Sequence, residues 1–267
     1  MQRYFVDGTQ FSADSVRITG DDAHHLIRVM RAEPGDLIIC SDGANREVEA
    51  ELVLLEKQEV TARIVRELPM ENEPHIQVWI AQSLPKGDKM ETVIQKCTEL
   101  GAARFIPFVS ERTVVQYEAK KEAKRLERWQ KIAKEAAEQA HRNRVPDISA
   151  PLTWKQLLAE AAQADSGLIC YEKPQGQGIR AAVQAAIDSA GCGGQAGADS
   201  KQKPDGTNRT AILVVIGPEG GFSEREVAEA ESAGCRAISL GRRILRTETA
   251  AMAALSCILY EAGEMGG

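Results

Sequence analysis

From Pro74 onward the chain alternates between aliphatic runs and segments with helical apolar spacing. This alternation restricts the fold more than any other feature of the sequence. Residues 76–81 (IQVWIA) read as a strand. Met90, Val93, Ile94, Cys97 and Leu100 follow at helical spacing, behind a capping-box pattern Asp88-x-x-Glu91 and before a C′ glycine, Gly101. Residues 105–109, 168–171, 212–216 and 237–240 predict further strands, and 118–142 and 249–261 predict helices. Residues 212–216 (ILVVI) lack a polar side and require burial on both faces. Ser223-x-x-Glu226 opens another helix, closed by Gly234. Strands alternating with helices in this way predict a parallel α/β sheet.

The first 70 residues read differently. Residues 37–40 form an apolar run closed by Ser41-Asp42-Gly43, and 48–55 and 60–68 have strand composition. One helix is expected over 21–30, its acidic start and basic end suiting the helix dipole. Pro69 and Pro74 bracket a linker. The expected organisation is a β-rich domain over 1–70 and an α/β domain over 74–267. Residues 191–208, rich in Gly, Gln, Ser, Asp, Lys and Pro, read as a flexible surface insertion.

The net charge of −6 excludes a uniformly basic nucleic-acid binder, but charge is unevenly placed. Residues 112–146 hold 10 basic and 5 acidic side chains, either a solvated, internally paired helix or a phosphate-contacting surface. Arg3, His24, His25, Arg28 and Arg31 form a second cluster. On a regular helix His24, Arg28 and Arg31 share one face, which can be a solvated face or bind phosphates. None of the six cysteines stands at C-x-x-C spacing, which argues against a zinc site or a disulfide scaffold and for a reducing cytoplasm. The first residues lack the apolar core of a secretory signal, and the charge-free stretch 249–260 is too short to span a bilayer. A soluble protein without metal or membrane partner is expected.

Two glycine-containing segments each follow a strand and enter a helix: residues 216–223 (IGPEGGFS) and 240–250 (LGRRILRTETA). Ligands of open α/β sheets bind at the carboxyl ends of strands, and glycines permit close backbone approach. Neither segment is a dinucleotide fingerprint or a P-loop. Arg246, Thr247, Glu248 and Thr249 offer a cation, donors and acceptors, and equally the parts of a helix cap and an ion pair.

These segments, with residues 84–91 (LPKGDKME), 110–113 (SERT), 3–5 (RYF) and 24–31 (HHLIRVMR), resemble the ribosomal small-subunit uridine N3-methyltransferase family of the SPOUT methyltransferases. The likeness runs through nearly the whole chain outside 191–208. It implies a PUA-like β-rich domain followed by an α/β domain with a parallel sheet and a deep trefoil knot. It implies S-adenosylmethionine held by Tyr171, Glu172, Ile216, Gly217, Pro218, Gly220 and Gly221, and by Ser239, Leu240, Gly241, Ile244, Leu245 and Arg246. The reaction implied is methyl transfer to N3 of a uridine in small-subunit ribosomal RNA, on assembled subunits rather than free RNA. Arg246 is the candidate stabiliser of charge on the uracil, and Glu248 and Glu219 are candidate proton acceptors or arginine orienters. The RNA would meet Arg3, His25, Arg28, Arg31, Lys86, Lys89, Arg112, Arg142 and Arg144. A homodimer is implied, for which Ala250, Ala251, Ala253, Ala254, Leu255, Ile258 and Leu259 offer a small, apolar helix surface unless packing within the chain uses it. The alternatives are a SPOUT enzyme acting on a ribose hydroxyl or a transfer RNA base, and a noncatalytic RNA-binding assembly factor.

Overall fold

A computed structural model describes residues 1–114, 119–171, 177–189 and 209–266. The chain divides into two compact units, one of Met1–Glu73 with Lys134–Val145, the other of Pro74–Ala133 with Pro146–Gly267. One break falls between Glu73 and Pro74, and the first unit also takes in twelve residues, 134–145, that the sequence reading assigned to the α/β domain.

The first unit is built on β1 (Gln2–Phe5), β2 (Ser15–Thr19), β3 (Leu37–Ser41), β4 (Glu47–Leu55) and β5 (Glu59–Glu67), in the sheet order β1-β3-β4-β5-β2. All neighbours are antiparallel except β1 and β3. The β4–β5 ladder shifts register twice, between Glu49 and Ala50 and between Leu52 and Leu54. Such irregularities bend a strand and increase its twist. Alternate side chains, among them Val16, Ile18, Ile38, Cys40, Val60 and Ala62, close over Tyr4 and Leu26.

The helix expected over 21–30 is interrupted. A short α1 (Gly20–His24) runs into a π-helical turn, His25–Met30, and ends at Arg31 in the left-handed conformation, φ 52°. Wide i→i+5 bonding replaces the regular spacing, so His24, Arg28 and Arg31 do not form the regular helical stripe expected of them. Leu26 is buried, while Val29 and Met30 are exposed.

Two arginines expected at an RNA surface are structural instead. Arg3 is 2% exposed and donates to both carboxylate oxygens of Glu47 and to the Arg142 carbonyl oxygen. Arg142, 4% exposed, donates to Glu73 at 2.6 and 3.2 Å. Asn143 Nδ2 donates to Glu47 at 2.6 Å, and the Asn143 and Arg144 amides donate to Glu73. Burying a guanidinium is costly unless carboxylates pair it, and here Glu47 and Glu73 do so, with Arg3 Nε left without a partner among the described residues.

The second unit holds an eight-stranded sheet of β6 (Gln77–Ser83), β7 (Arg104–Val109), β8 (Asp147–Ile148), β9 (Leu152–Thr153), β10 (Ser166–Cys170), β11 (Gln177–Gly178), β12 (Ala211–Ile216) and β13 (Cys235–Ser239). Its order is β11-β13-β10-β12-β6-β7-β8, with β9 also on β7, and each pair is parallel. Every residue of β6 and β12 is buried, as the unbroken apolar run of β12 requires. The helices are α2 (Lys89–Leu100), α3 (Ala119–Gln139), α4 (Trp154–Ala161), α5 (Ile179–Ser189), α6 (Glu224–Ser232) and α7 (Thr247–Glu261).

Ser223 caps α6 through the expected box with Glu226. Asp88 makes no such cap, and Glu91 is instead ion-paired with Arg128 at 2.6 Å. In α7, Ala251, Ala254, Leu255, Ile258 and Leu259 are buried within the chain, leaving Ala250, Met252, Ala253, Cys257 and Tyr260 more accessible. The surface considered for a dimer is therefore largely consumed by intrachain packing. Residues 191–208 lie outside the described residues.

Candidate active site

A cleft of about 720 Å³ lies at the carboxyl ends of β10, β12 and β13, within the second unit. Parallel strands finish there together, so the loops that follow them converge. The volume falls in the range of about 300–1,000 Å³ typical of small-molecule sites.

Tyr171 leads in from β10; Ile216, Gly217, Pro218, Gly220 and Gly221 come from the end of β12 and the loop beyond it. Ser239 ends β13, and Leu240, Gly241, Ile244, Leu245 and Arg246 complete the third wall. Every residue nominated for the cofactor thus lines one cleft, except Glu172, which lies outside the described residues. Cys170, Phe222, Glu224, Ile238, Arg243, Thr247 and Ala250 also line it and were not nominated. Position immediately beside the nominated loops was the signal available for them.

The loop between β12 and α6 is pinned at several points. Gly217 lies beneath the Phe222 ring, where an added Cβ would come within 3.1 Å of an aromatic carbon. Phe222 in turn stacks on Phe108, 6.4 Å between centroids. Gly221 has φ +66°, a conformation that side chains disfavour. Arg112 Nη1 donates to the Gly220 carbonyl at 3.0 Å, and Glu219 accepts from Lys89 Nζ and from the Lys86 amide. Burial pushes the Glu219 carboxyl up, but the bonds from Lys89 and the nearby amides outweigh it and hold the group below the ordinary carboxylate range. Glu219 is thereby occupied as an anchor. Burial pushes the Cys170 thiol up to about 12, which keeps it protonated.

Arg246 is exposed at the cleft, in the N-cap position of α7, and its side chain has no ion pair among the described residues. Glu248, in the first turn of α7, is not among the lining residues, and its buried Oε2 has no partner among the described residues. Glu224, exposed in the first turn of α6, is the lining carboxylate other than Glu219. Lys86 and Arg112 are exposed, and Lys89 is about one-third exposed at 32%. Ile244, at 96% exposed, is the most exposed large apolar residue among the described residues.

In the first unit, Arg28 and Arg31 are exposed and His25 is half-buried, with its Nδ1 2.9 Å from the Tyr4 hydroxyl. Of the basic run 112–146, Arg128 is paired with Glu91, Lys134 with Asp22, and Arg142 with Glu73. Among the described residues there is no group of three His, Cys, Asp or Glu able to hold a metal ion, and no helix long and apolar enough to cross a membrane.

The cleft and the parallel strands that end at it lie within an RNA methyltransferase domain, whose family model matches residues 71–259. The RNA methyltransferase PUA domain matches residues 18–65. The chain is 41% identical over 264 residues to ribosomal RNA small subunit methyltransferase E of Bacillus subtilis, covering 98% of this chain and 97% of that one. With the enzyme of the same name from Synechocystis it shares 34% identity, over 96% of this chain and 76% of the other. The chain belongs to the family of the ribosomal RNA small subunit methyltransferases E. The Neisseria gonorrhoeae member, crystallised with S-adenosyl methionine bound, superimposes with a TM-score of 0.79 at 31% identity, covering 97% of each chain.

Proposed function

We propose that this chain transfers a methyl group from S-adenosylmethionine to N3 of a uridine in small-subunit ribosomal RNA. It acts on the assembled small subunit, as a cytoplasmic homodimer whose α/β unit carries the family's trefoil knot. The observation that carries the reading is the convergence of the three strand-end loops on one cleft, with Arg246 unpaired among the described residues at its edge.

The residues present fit the cofactor. Ile216, Ile238, Leu240 and Leu245 give an apolar wall for an adenine, and at Gly221 and Gly241, where a Cβ would enter open space, the missing side chains leave the backbone free to meet a ligand. When bound, S-adenosylmethionine supplies an electrophilic methyl group. The uracil N3 carries a proton and is a weak nucleophile until that proton leaves. Arg246 stabilises the negative charge that then spreads onto the uracil oxygens. Glu219 holds its loop in place, and its depressed pKa disfavours it as the proton acceptor. Glu224 lies closer to that task than Glu248, which does not line the cleft.

The target base must leave any stack to enter. Lys86, Lys89 and Arg112 beside the cleft, and His25, Arg28, Arg31 and Arg144 in the first unit, hold the RNA backbone. The dimer forms through the accessible part of α7. Incubation with radiolabelled S-adenosylmethionine and undermodified small subunits, followed by mass spectrometry of nuclease digests, tests the reading. Label at N3 of one uridine is expected. Label on a ribose or on another base would replace the proposed target atom, and no label on any RNA would favour a noncatalytic role.

A further inference from the structure

Beneath the cleft runs a hydrogen-bond relay whose direction is fixed. Gln82, next to last in β6 and 0% exposed, donates from Nε2 to the Ser83 carbonyl at 3.0 Å and to Thr247 Oγ1 at 2.8 Å. Thr247, the first residue of α7 and 6% exposed, donates from Oγ1 to the Gly217 carbonyl at 2.7 Å. The amide cannot be turned over, because Oε1 would then face the Ser83 carbonyl, acceptor against acceptor. Both Nε2 hydrogens are therefore committed, and the single Thr247 proton goes to Gly217.

The relay has a cost that shows what it is for. Gln82 Oε1 is buried with no partner among the described residues. A leucine of similar volume would bury the same position without an orphaned acceptor, so only the two donated bonds distinguish the amide here. Those bonds join the end of β6, the start of α7 and the first residue of the loop that follows β12. Gly217 is thus held twice, by the Phe222 ring on the side where a Cβ would lie and by the Thr247 hydroxyl at its carbonyl.

We propose that Gln82 and Thr247 are positioning residues for the cofactor: their relay sets the Gly217 peptide, and with it the 217–221 loop, in the conformation that binds S-adenosylmethionine. This rests on the reading that S-adenosylmethionine occupies the cleft. Gln82 acts through Thr247, and does not line the cleft itself.

The test compares the full-length protein with Thr247→Val, Thr247→Ser and Gln82→Leu, by calorimetric titration with S-adenosylmethionine and by hydrogen exchange of the 217–221 amides without cofactor. Thr247→Val and Gln82→Leu are expected to weaken binding about tenfold, and their double variant little more than either alone, since one relay is broken once. Thr247→Ser keeps the hydroxyl and is expected to restore binding and slow exchange. Equal affinity and equal exchange in the wild type and Thr247→Val would overturn the relay. A wild type that does not bind S-adenosylmethionine would overturn the functional reading instead. The exchange comparison still decides whether the relay holds the loop, and if Gln82→Leu does not fold, the Val–Ser pair at 247 suffices.

Discussion

The carboxylate of Glu219 accepts a hydrogen bond from Lys89 Nζ at 2.7 Å, joining positions 130 residues apart in the sequence. The pair links the loop after β12 to the start of α2, so the loop that carries the glycines is anchored from outside its own strand. Lys89→Met is expected to move the Glu219 titration up toward the ordinary carboxylate range. Both side chains are about one-third exposed, so global stability should change by less than about 1 kcal/mol. The depressed pKa means that the pair's contribution is present above the ordinary carboxylate range and is lost as pH falls through the folded-state value. Carbon-13 NMR of the Glu219 carboxyl measures the shift, and an unchanged midpoint in Lys89→Met would assign the depression to the backbone amides alone.

Arg246 touches the cleft without a carboxylate partner among the described residues, which leaves its charge available to a substrate. Arg246→Ala is expected to lower the methyl-transfer rate by about 10²–10³ while S-adenosylmethionine still binds. Single-turnover kinetics beside calorimetric binding separates the two effects. A variant with near-normal turnover would remove Arg246 from the chemistry.

Arg3 and Arg31 predict opposite phenotypes. Arg3 is sealed against Glu47, and truncating one partner of a buried pair costs about 3–5 kcal/mol. Arg3→Ala should therefore lower the urea midpoint steeply. Arg31 is exposed and sits at φ 52°, so Arg31→Gly relieves backbone strain and is expected to gain up to about 1 kcal/mol. Arg28→Ala and Arg31→Gly together should reduce the slope of log binding constant against log salt for small-subunit RNA by about 2. Filter binding across a salt series reads the slope, and an unaltered slope would take the π-helical turn out of the RNA contact.

Glu138 carries the clearest pH dependence. It is 9% exposed, accepts from the Phe5 amide at 3.0 Å, and stands 3.7 Å from Lys134 Nζ. Burial pushes its carboxyl up to about 7, against weaker opposing effects of the Phe5 amide and Lys134. Between the ordinary carboxylate value and pH 7 the folded state then holds a proton that the unfolded state has lost. Stability from this group therefore rises as pH falls from about 8 toward 5, by an amount on the order of 3 kcal/mol. Glu138→Gln keeps the acceptor for Phe5 and should flatten this part of the profile. Parallel slopes for the two proteins between pH 5 and 8 would contradict the shift.

Much of the α/β unit was legible because its strands are short aliphatic runs separated by helical spacing. Residues 212–216 and 105–109 declare themselves by composition alone, and β12 and β7 form there. β1 and β2 were not recognised, since QRYF buries an arginine among its four residues and SVRIT alternates over only five. The Asp88 box matched its pattern but failed in geometry: Asp88 has φ −90° and ψ 11°, outside the extended conformation of a capping residue. The two glycine loops stood out in the sequence as candidate ligand-binding segments, and the structure brings them to one cleft. Gln82 was invisible, because one amide in an apolar strand gives no pattern and its partners lie 165 residues away at Thr247 and at its own neighbour. Arg3 and Arg142 misled the reading because sequence shows a charge without showing the carboxylate that neutralises it.

Residues 134–145 belong with the first unit although they follow a 60-residue stretch, Pro74–Ala133, of the second. A gene fragment ending at residue 73 would retain all five strands of the smaller sheet and still be incomplete. It would strip the Phe5 amide of the Glu138 carboxylate, Glu47 of its contact with Asn143, and Glu73 of Arg142. Glu73 would then lose its cation, while Glu47 would keep Arg3 but lose an amide donor. The smaller unit is thus a discontinuous piece of the gene, and isolating it calls for a designed connection from residue 73 to 134 rather than a stop codon.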